Sequence, residues 1–258
     1  MHFQVAGEGQ DLILIHGLFG SLDNLANLGK SLTQDYRVFR VDVANHGDSP
    51  SLAPMNYPAL AAQLISFMDS HNIQSAGLIG HSMGGKIAMA TALTAPERVS
   101  SLVVADIAPV AYPPRHNEII AALSSLDVSH ITSRQQAIAH LQAAGIDEGV
   151  IQFLLKNLRR ADVGFCWKMD LANIKNHYAE IITWPYHEQQ YTGPSLLIRG
   201  GDSDYVIPEY RDAIISQFPT MQAKTIMATG HWLHAQKPEA FNRLVQRFLS
   251  DNGTMTNF

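Results

Sequence analysis

Ala76-Gly77-Leu78-Ile79-Gly80-His81-Ser82-Met83-Gly84-Gly85 is the stretch that decides the fold of this chain. A short apolar run, Ala76–Ile79, stops at a glycine. A serine follows two residues later, then two more glycines, and an Ala- and Met-rich helical pattern covers Met83–Thr94. Small residues on both sides of a serine let the backbone turn sharply from a strand into a helix. Such a turn lifts the serine Oγ clear of the sheet and places it at a helix N-terminus. The pattern G-x-S-x-G alone recurs by chance in on the order of one chain in ten, at residue frequencies near 7%. Its weight therefore comes from the strand before it and the helix after it.

Outward from this turn, strand and helix patterns alternate. Asp11–Ile15, Tyr36–Val43 and Leu102–Ala105 are apolar or β-branched runs suited to strands buried on both faces. Leu25–Leu32 and Tyr57–Ser70 carry apolar residues at helical spacing. Such alternation predicts βαβ units and a doubly wound, mostly parallel sheet. The pattern breaks after Ile107-Ala108-Pro109. Glu118–Ser125, Ser133–Ala144, Gly149–Leu158 and Leu171–Ile182 read as helices, with one weak strand candidate at Val163–Met169. Ser195–Ile198 (strand), Pro208–Phe218 (helix), Ala223–Met227 (strand) and Pro238–Leu249 (helix) restore it, and Asn252–Phe258 reads as a polar tail. The expected organisation is an α/β core, 1–111 and 189–258, interrupted by a helical cap over 112–188.

Composition agrees with a deep core. Charged residues make up 16% and hydrophobic ones 46% of the 258 residues, against an average of about 25% charged, which excludes a disordered chain. The formal net charge of −5 comes with no basic face for nucleic acid and no polybasic stretch for a membrane. Neither a signal-peptide pattern nor an apolar run of about 18 residues is present. One cysteine, Cys166, forms no intramolecular disulfide and has no metal-ligand spacing around it. A cytoplasmic protein needing no metal or cofactor is the expectation, with oligomeric state open.

Two further motifs fit a serine nucleophile. His16-Gly17-Leu18-Phe19-Gly20 follows a strand, where the Leu18 N–H, with that of Met83, can hold a tetrahedral oxyanion. Gly230-His231-Trp232 follows the last strand, the place of the base in the chain order Ser, Asp or Glu, His. His231 is the candidate base, with His234 behind it. His16, His46 and His81 are expected to pack and hydrogen-bond loops. The acid has two possible sources: Asp106, after the Leu102–Ala105 strand, or Asp202 or Asp204, after Ser195–Ile198. From the residues alone these stay open, since helix capping before Pro208 also explains the latter pair.

At these positions the chain resembles the α/β-hydrolase superfamily. The strings H-G-L-F-G-S-L-D-N-L, V-A-N-H-G-D-S-P, A-D-I-A-P-V and R-G-G-D-S-D-Y-V resemble the bacterial YbfF-type esterases and their eukaryotic abhydrolase-domain relatives more narrowly. The resemblance implies that Asp106 is the acid, because D-I-[AS]-P recurs in that group whereas Asp at 202 or 204 is not required. It also implies a cap after the strand carrying Asp106. Phe19, Trp232, His116 and Trp167 are the pocket candidates, with Phe153, Leu154, Phe165 and Met169 divided between pocket and cap core. Arg115 and His116 suit either a charged head group or a solvated hinge.

The expected activity is a serine esterase or thioesterase acting on small-molecule acyl esters. The resemblance alone extends it to acyl-CoA thioesters. C–C bond hydrolases and haloperoxidase-like enzymes keep the same serine, and a non-catalytic ligand receptor keeps the same fold.

Overall fold

Apolar runs without polar alternation need cover on both faces, so they belong at the centre of a sheet. In the computed structural model, which describes residues 1–252, they lie there. Seven strands run in the order β1-β3-β2-β4-β5-β8-β9: β1 (Phe3–Ala6), β2 (Gln10–Ile15), β3 (Tyr36–Val41), β4 (Ala76–His81), β5 (Val99–Ala105), β8 (Ser195–Gly200) and β9 (Gln222–Ile226). All neighbours pair parallel except β1, which runs antiparallel to β3.

Alternate strand residues feed two cores. Ile13, Ile15, Leu78, Leu102 and Val104 face α2 (Tyr57–Ser70) and α3 (Met83–Thr94). Leu12, Leu14, Ile79 and Val103 face α1 (Ala26–Leu32) and α11 (Pro238–Asn252). Two shorter helices, α9 (Arg211–Gln217) and α10 (Leu233–Gln236), complete the second half of the chain.

Between β5 and β8 lies the helical insertion: α4 (Asn117–Ser125), α5 (Arg134–Ala143), α6 (Glu148–Leu154), a ribbon of β6 (Leu158–Arg160) and β7 (Phe165–Trp167), then α7 (Leu171–Asn176) and α8 (Tyr178–Ile181). Its buried residues, among them Ile120, Leu141, Ile151 and Ile174, join the same apolar cluster as α2 and α3.

Several expectations need correction. The β1 strand escapes the sequence reading because it is an exposed edge with no apolar run. The helix expected over Gly149–Leu158 stops at Leu154, because Leu158 pairs with Trp167 in the ribbon. The Leu171–Ile182 helix is split at His177, whose φ of −107° and ψ of 9° leave the helical region. The Val163–Met169 strand shrinks to Phe165–Trp167. Of the expected polar tail, Asn252 ends α11 and 253–258 lie outside the described residues. No helix among the described residues is long and apolar enough to cross a membrane.

Two glycines make the β4–α3 turn possible. A Cβ on Gly80 would lie 2.2 Å from the Gly84 carbonyl oxygen, and one on Gly84 would lie 2.2 Å from that of Ile15. Strand β2 and helix α3 thus touch backbone to backbone. Gly84→Ala must push them apart. We expect it to destabilise the fold by about 3 kcal/mol, a fall in Tm on the order of 10 °C. An unchanged Tm in a thermal melt would refute this packing argument.

Candidate active site

Strands β4 and β5 are parallel neighbours, with His81 opposite Ala105, so the residues that follow them emerge at the same sheet end. These are Ser82 and Asp106. Both sit in the left-handed region, Ser82 at φ 55° and ψ −121° and Asp106 at φ 53°. Such strain persists only where its surroundings enforce it. Here the Ser82 N–H donates to Ala105 O (2.9 Å) and the Asp106 N–H to Ile198 O (2.9 Å), which locks both turns to the neighbouring strand.

The loop after β9 brings His231 to the same point. Its Nε2 lies 2.9 Å from Ser82 Oγ and its Nδ1 lies 2.8 Å from Asp106 Oδ2. A carboxylate accepts, so Nδ1 carries the proton and Nε2 is left bare to accept from the serine hydroxyl. Asp106 is fully buried. Gly200 N–H donates to its Oδ1 (2.8 Å) and Ser203 Oγ donates to its Oδ2. Tyr205 stacks on the His231 ring, centroid to centroid at 3.6 Å and 16° from parallel.

The histidines around this line are neutral supports. His81 Nε2–H donates to the carbonyl of His231 (2.8 Å). Burial, then the neighbouring His234 and His231, push His81 well below its ordinary pKa. His46 Nε2 accepts the Phe19 N–H (3.1 Å) and His16 Nε2 accepts the Val43 N–H (3.0 Å). His234 lies within α10, buried, its ring centroid 4.3 Å from that of His81. It is therefore His231, rather than His234, that stands at the serine.

Leu18 and Met83, the expected amide donors, line the same cavity as Ser82. Neither donates a hydrogen bond among the described residues. Met83 opens α3, where a first-turn amide has no carbonyl behind it. Asp202 and Asp204 do not join the Ser82–His231 line. Both are exposed, and Asp204 pairs with Arg115 at 2.6 Å. Nor do they cap the helix at Pro208, whose cap position is Ile207.

Two cavities meet at Ser82. The outer one, about 730 Å³, is lined by Phe19, His116, Phe153, Leu154, His231 and Trp232. The inner one, about 390 Å³, runs under the insertion past Tyr57, Met83, Lys86, Tyr112 and Ile181. Trp167, an expected pocket residue, lines neither. It is held in the β6–β7 ribbon opposite Leu158. Phe165 and Met169 likewise belong to the shared apolar core. Sequence reasoning missed Gly200, Ser203, Tyr205 and Lys86. Ser203 stands inside G-G-D-S-D, where the acidic neighbours drew attention instead.

Among the described residues, one group could offer three ligand atoms to a metal: His2, Asp42 and Asp48, within 4.8 Å of one another. The Asp42 carboxylate already accepts the N–H groups of Leu22 (2.7 Å) and Asp48 (3.0 Å), and Arg159 pairs with Asp48 at 3.3 Å. The group anchors loops.

A serine held in strain at the end of a parallel strand, facing a histidine from the loop after the last one, is how α/β-hydrolases are built. The chain belongs to this family: the profile of the α/β hydrolase fold matches residues 12–238. It is 43% identical to Esterase YbfF of Escherichia coli (strain K12), over 93% of each chain. It is 37% identical to the sn-1-specific diacylglycerol lipase ABHD11 of Mus musculus, over 93% of this chain and 80% of the lipase. Among solved structures, a marine microorganism esterase superposes with a TM-score of 0.92 at 37% identity, covering 96% of this chain and 98% of that one.

Proposed function

We propose that the chain is a serine hydrolase of carboxylic esters that works through an acyl-enzyme on Ser82. The observation that carries this reading is the unbroken line Ser82 Oγ, His231, Asp106, with contacts of 2.9 and 2.8 Å, opening onto the two cavities. Esterases and lipases among its relatives support it.

In this reading His231 Nε2 takes the Ser82 proton as Oγ attacks the acyl carbonyl. Asp106 holds the tautomer and stabilises the imidazolium. The Leu18 and Met83 amides receive the oxyanion, each contributing about 3–4 kcal/mol. His231 then protonates the leaving group, which must therefore lie on its side of the serine, in the outer cavity. That assigns the acyl group to the inner cavity. Water activated by the same ring releases the acid. Residues 112–188 act as a cap that roofs both cavities and excludes bulk water, over a core formed by 1–111 and 189–258.

The test is the hydrolysis rate across p-nitrophenyl esters and CoA thioesters of rising acyl length. We expect turnover of short esters, and a decline once the chain outgrows the inner cavity. Inactivity toward every ester would overturn the proposal. A uniform rate from acetyl to palmitoyl would overturn the assignment of the acyl group to that cavity. Thioester hydrolysis, the extension that resemblance suggests, is read from the CoA arm.

A further inference from the structure

Phe19 follows Leu18 in the loop after β2 and sits in the left-handed region at φ 59°. A bulky side chain keeps that conformation only where its surroundings enforce it. Its carbonyl oxygen accepts from Asn157 Nδ2 (2.5 Å), a side chain of the insertion in the turn between α6 and β6. Asn157 is 2% exposed. Its nitrogen also reaches Leu154 O (3.3 Å), and its backbone carbonyl accepts the Lys168 N–H (2.8 Å) next to the Leu158–Trp167 pair of the ribbon. Two carbonyls face one side-chain atom, so that atom is the amide NH₂, with a hydrogen for each.

This bond is the outer end of a chain. Phe19 C=O and Gly20 N–H belong to one peptide group, and the Gly20 N–H donates to Gly17 O (3.0 Å). Gly17 C=O and Leu18 N–H belong to another. Both peptides are trans, so in each the N–H points opposite to the C=O. The line therefore runs from Asn157 Nδ2–H through two peptide groups to the Leu18 N–H. Core residues hold the rest of the loop. His16 accepts the Val43 N–H at Nε2, so its Nδ1–H donates to Gly17 O (2.8 Å), and His46 accepts the Phe19 N–H (3.1 Å). Of the side chains bonded to the backbone of Gly17–Gly20 among the described residues, Asn157 alone comes from the insertion.

We propose that Asn157 is a positioning residue for the oxyanion site: it orients and polarises the Leu18 amide through the two peptide groups, so the insertion takes part in stabilising the transition state. The proposal rests on the serine-hydrolase reading, which puts the oxyanion at Leu18. Two effects act together. A hydrogen bond to a peptide carbonyl makes the N–H of the same group a stronger donor, and the links of a chain strengthen one another. The bond also pins the Phe19–Gly20 peptide. Without it a buried carbonyl is left with no donor, and the relief is for that peptide to turn. Turning takes the Gly20 N–H away from Gly17 O and loosens the Leu18 amide.

The experiment measures kcat and KM for p-nitrophenyl acetate, and Ki for trifluoroacetone, in the native protein, Asn157→Leu and Asn157→Asp. Ser82 Oγ adds to the ketone carbon, the ketone oxygen becomes the oxyanion, and the serine proton passes to His231. Leucine has a similar size and no N–H; aspartate keeps the shape and offers only acceptors. In Asn157→Leu kcat should fall about tenfold, part of the 10²–10³-fold that an oxyanion donor itself is worth, with KM nearly unchanged. Asn157→Asp should fall further. Ki should rise by the factor by which kcat/KM falls, because the loss is confined to tetrahedral species. A residue that only seats the insertion would instead raise KM and break that match. Unchanged kcat in folded Asn157→Leu, a loss carried by KM alone, or an unchanged Ki overturns the proposal. If neither variant folds, hydrogen exchange of the native protein decides: a protected Gly20 amide supports the chain, and one exchanging like a free peptide overturns it. A native protein inert to p-nitrophenyl acetate and unreactive toward the ketone refutes the hydrolase reading beneath; an active one with any of the overturning outcomes refutes the role of Asn157 alone.

Discussion

Replacing Ser82 with alanine is expected to cut turnover of p-nitrophenyl acetate by about 10⁶-fold, the loss seen when a triad serine is removed. The size follows from what the oxygen does. Without Oγ no acyl-enzyme forms, and water must attack with only the Leu18 and Met83 amides to help. Ser82 contributes little to the core and lies at the junction of two cavities. The variant should therefore fold, with a near-UV circular dichroism spectrum like the parent's. A folded Ser82→Ala protein that hydrolyses at close to the parent rate would remove the nucleophile from this account.

Asp106→Asn carries the second largest expected effect, about 10⁴-fold in kcat by the same template. The replacement keeps the shape but alters both hydrogen bonds made at Oδ2. An Asn carbonyl oxygen can keep the Gly200 N–H, but its NH₂ then faces His231 Nδ1. An NH₂ donates, so Nδ1 must give up its proton. Nε2 is then protonated and can no longer accept from Ser82. The Ser203 hydroxyl, which also donates toward Asp106, is left opposite another donor. Asp202→Asn should stay near the parent rate, because its side chain is exposed and stands off this line. Reversed results for these two variants would move the acid to the loop after β8.

What was legible in the sequence follows the range of the interactions involved. The β4–α3 turn could be read because its constraint is local: Gly80, Ser82 and Gly84 all fall within five consecutive residues, and the strand and helix patterns adjoin them. The central strands could be read because burial on both faces leaves uninterrupted apolar runs. The acid could not be read from residues alone. Asp106 and Asp202 follow neighbouring parallel strands and emerge at the same side of the sheet, so order and spacing serve both equally. The difference is tertiary: Asp106 is fully buried, with the Gly200 N–H and Ser203 hydroxyl turned toward it.

Cavity-lining residues were legible where they adjoin a motif, as Phe19 and Trp232 do, and at His116 near the start of the insertion, but deeper in the insertion size and apolarity did not separate lining from core. Trp167 has the size and apolarity of a pocket residue, but its pairing in a three-residue ribbon holds it elsewhere. Lys86 gave the opposite misdirection. In sequence it is an ordinary lysine in a helix. Only the fold shows that its helix is covered on that side by both roots of a segment inserted after β5.

The central claim is that Ser82 is the acyl-accepting nucleophile, activated by His231. It is tested most directly by treating the native protein with a fluorophosphonate probe and locating the adduct by peptide mass spectrometry. The account predicts stoichiometric labelling on Ser82 and sharply slowed labelling in Asp106→Asn, where His231 is held in the tautomer that cannot accept from Ser82. No adduct on Ser82, or an adduct on any other residue with Ser82 unmodified, would contradict it.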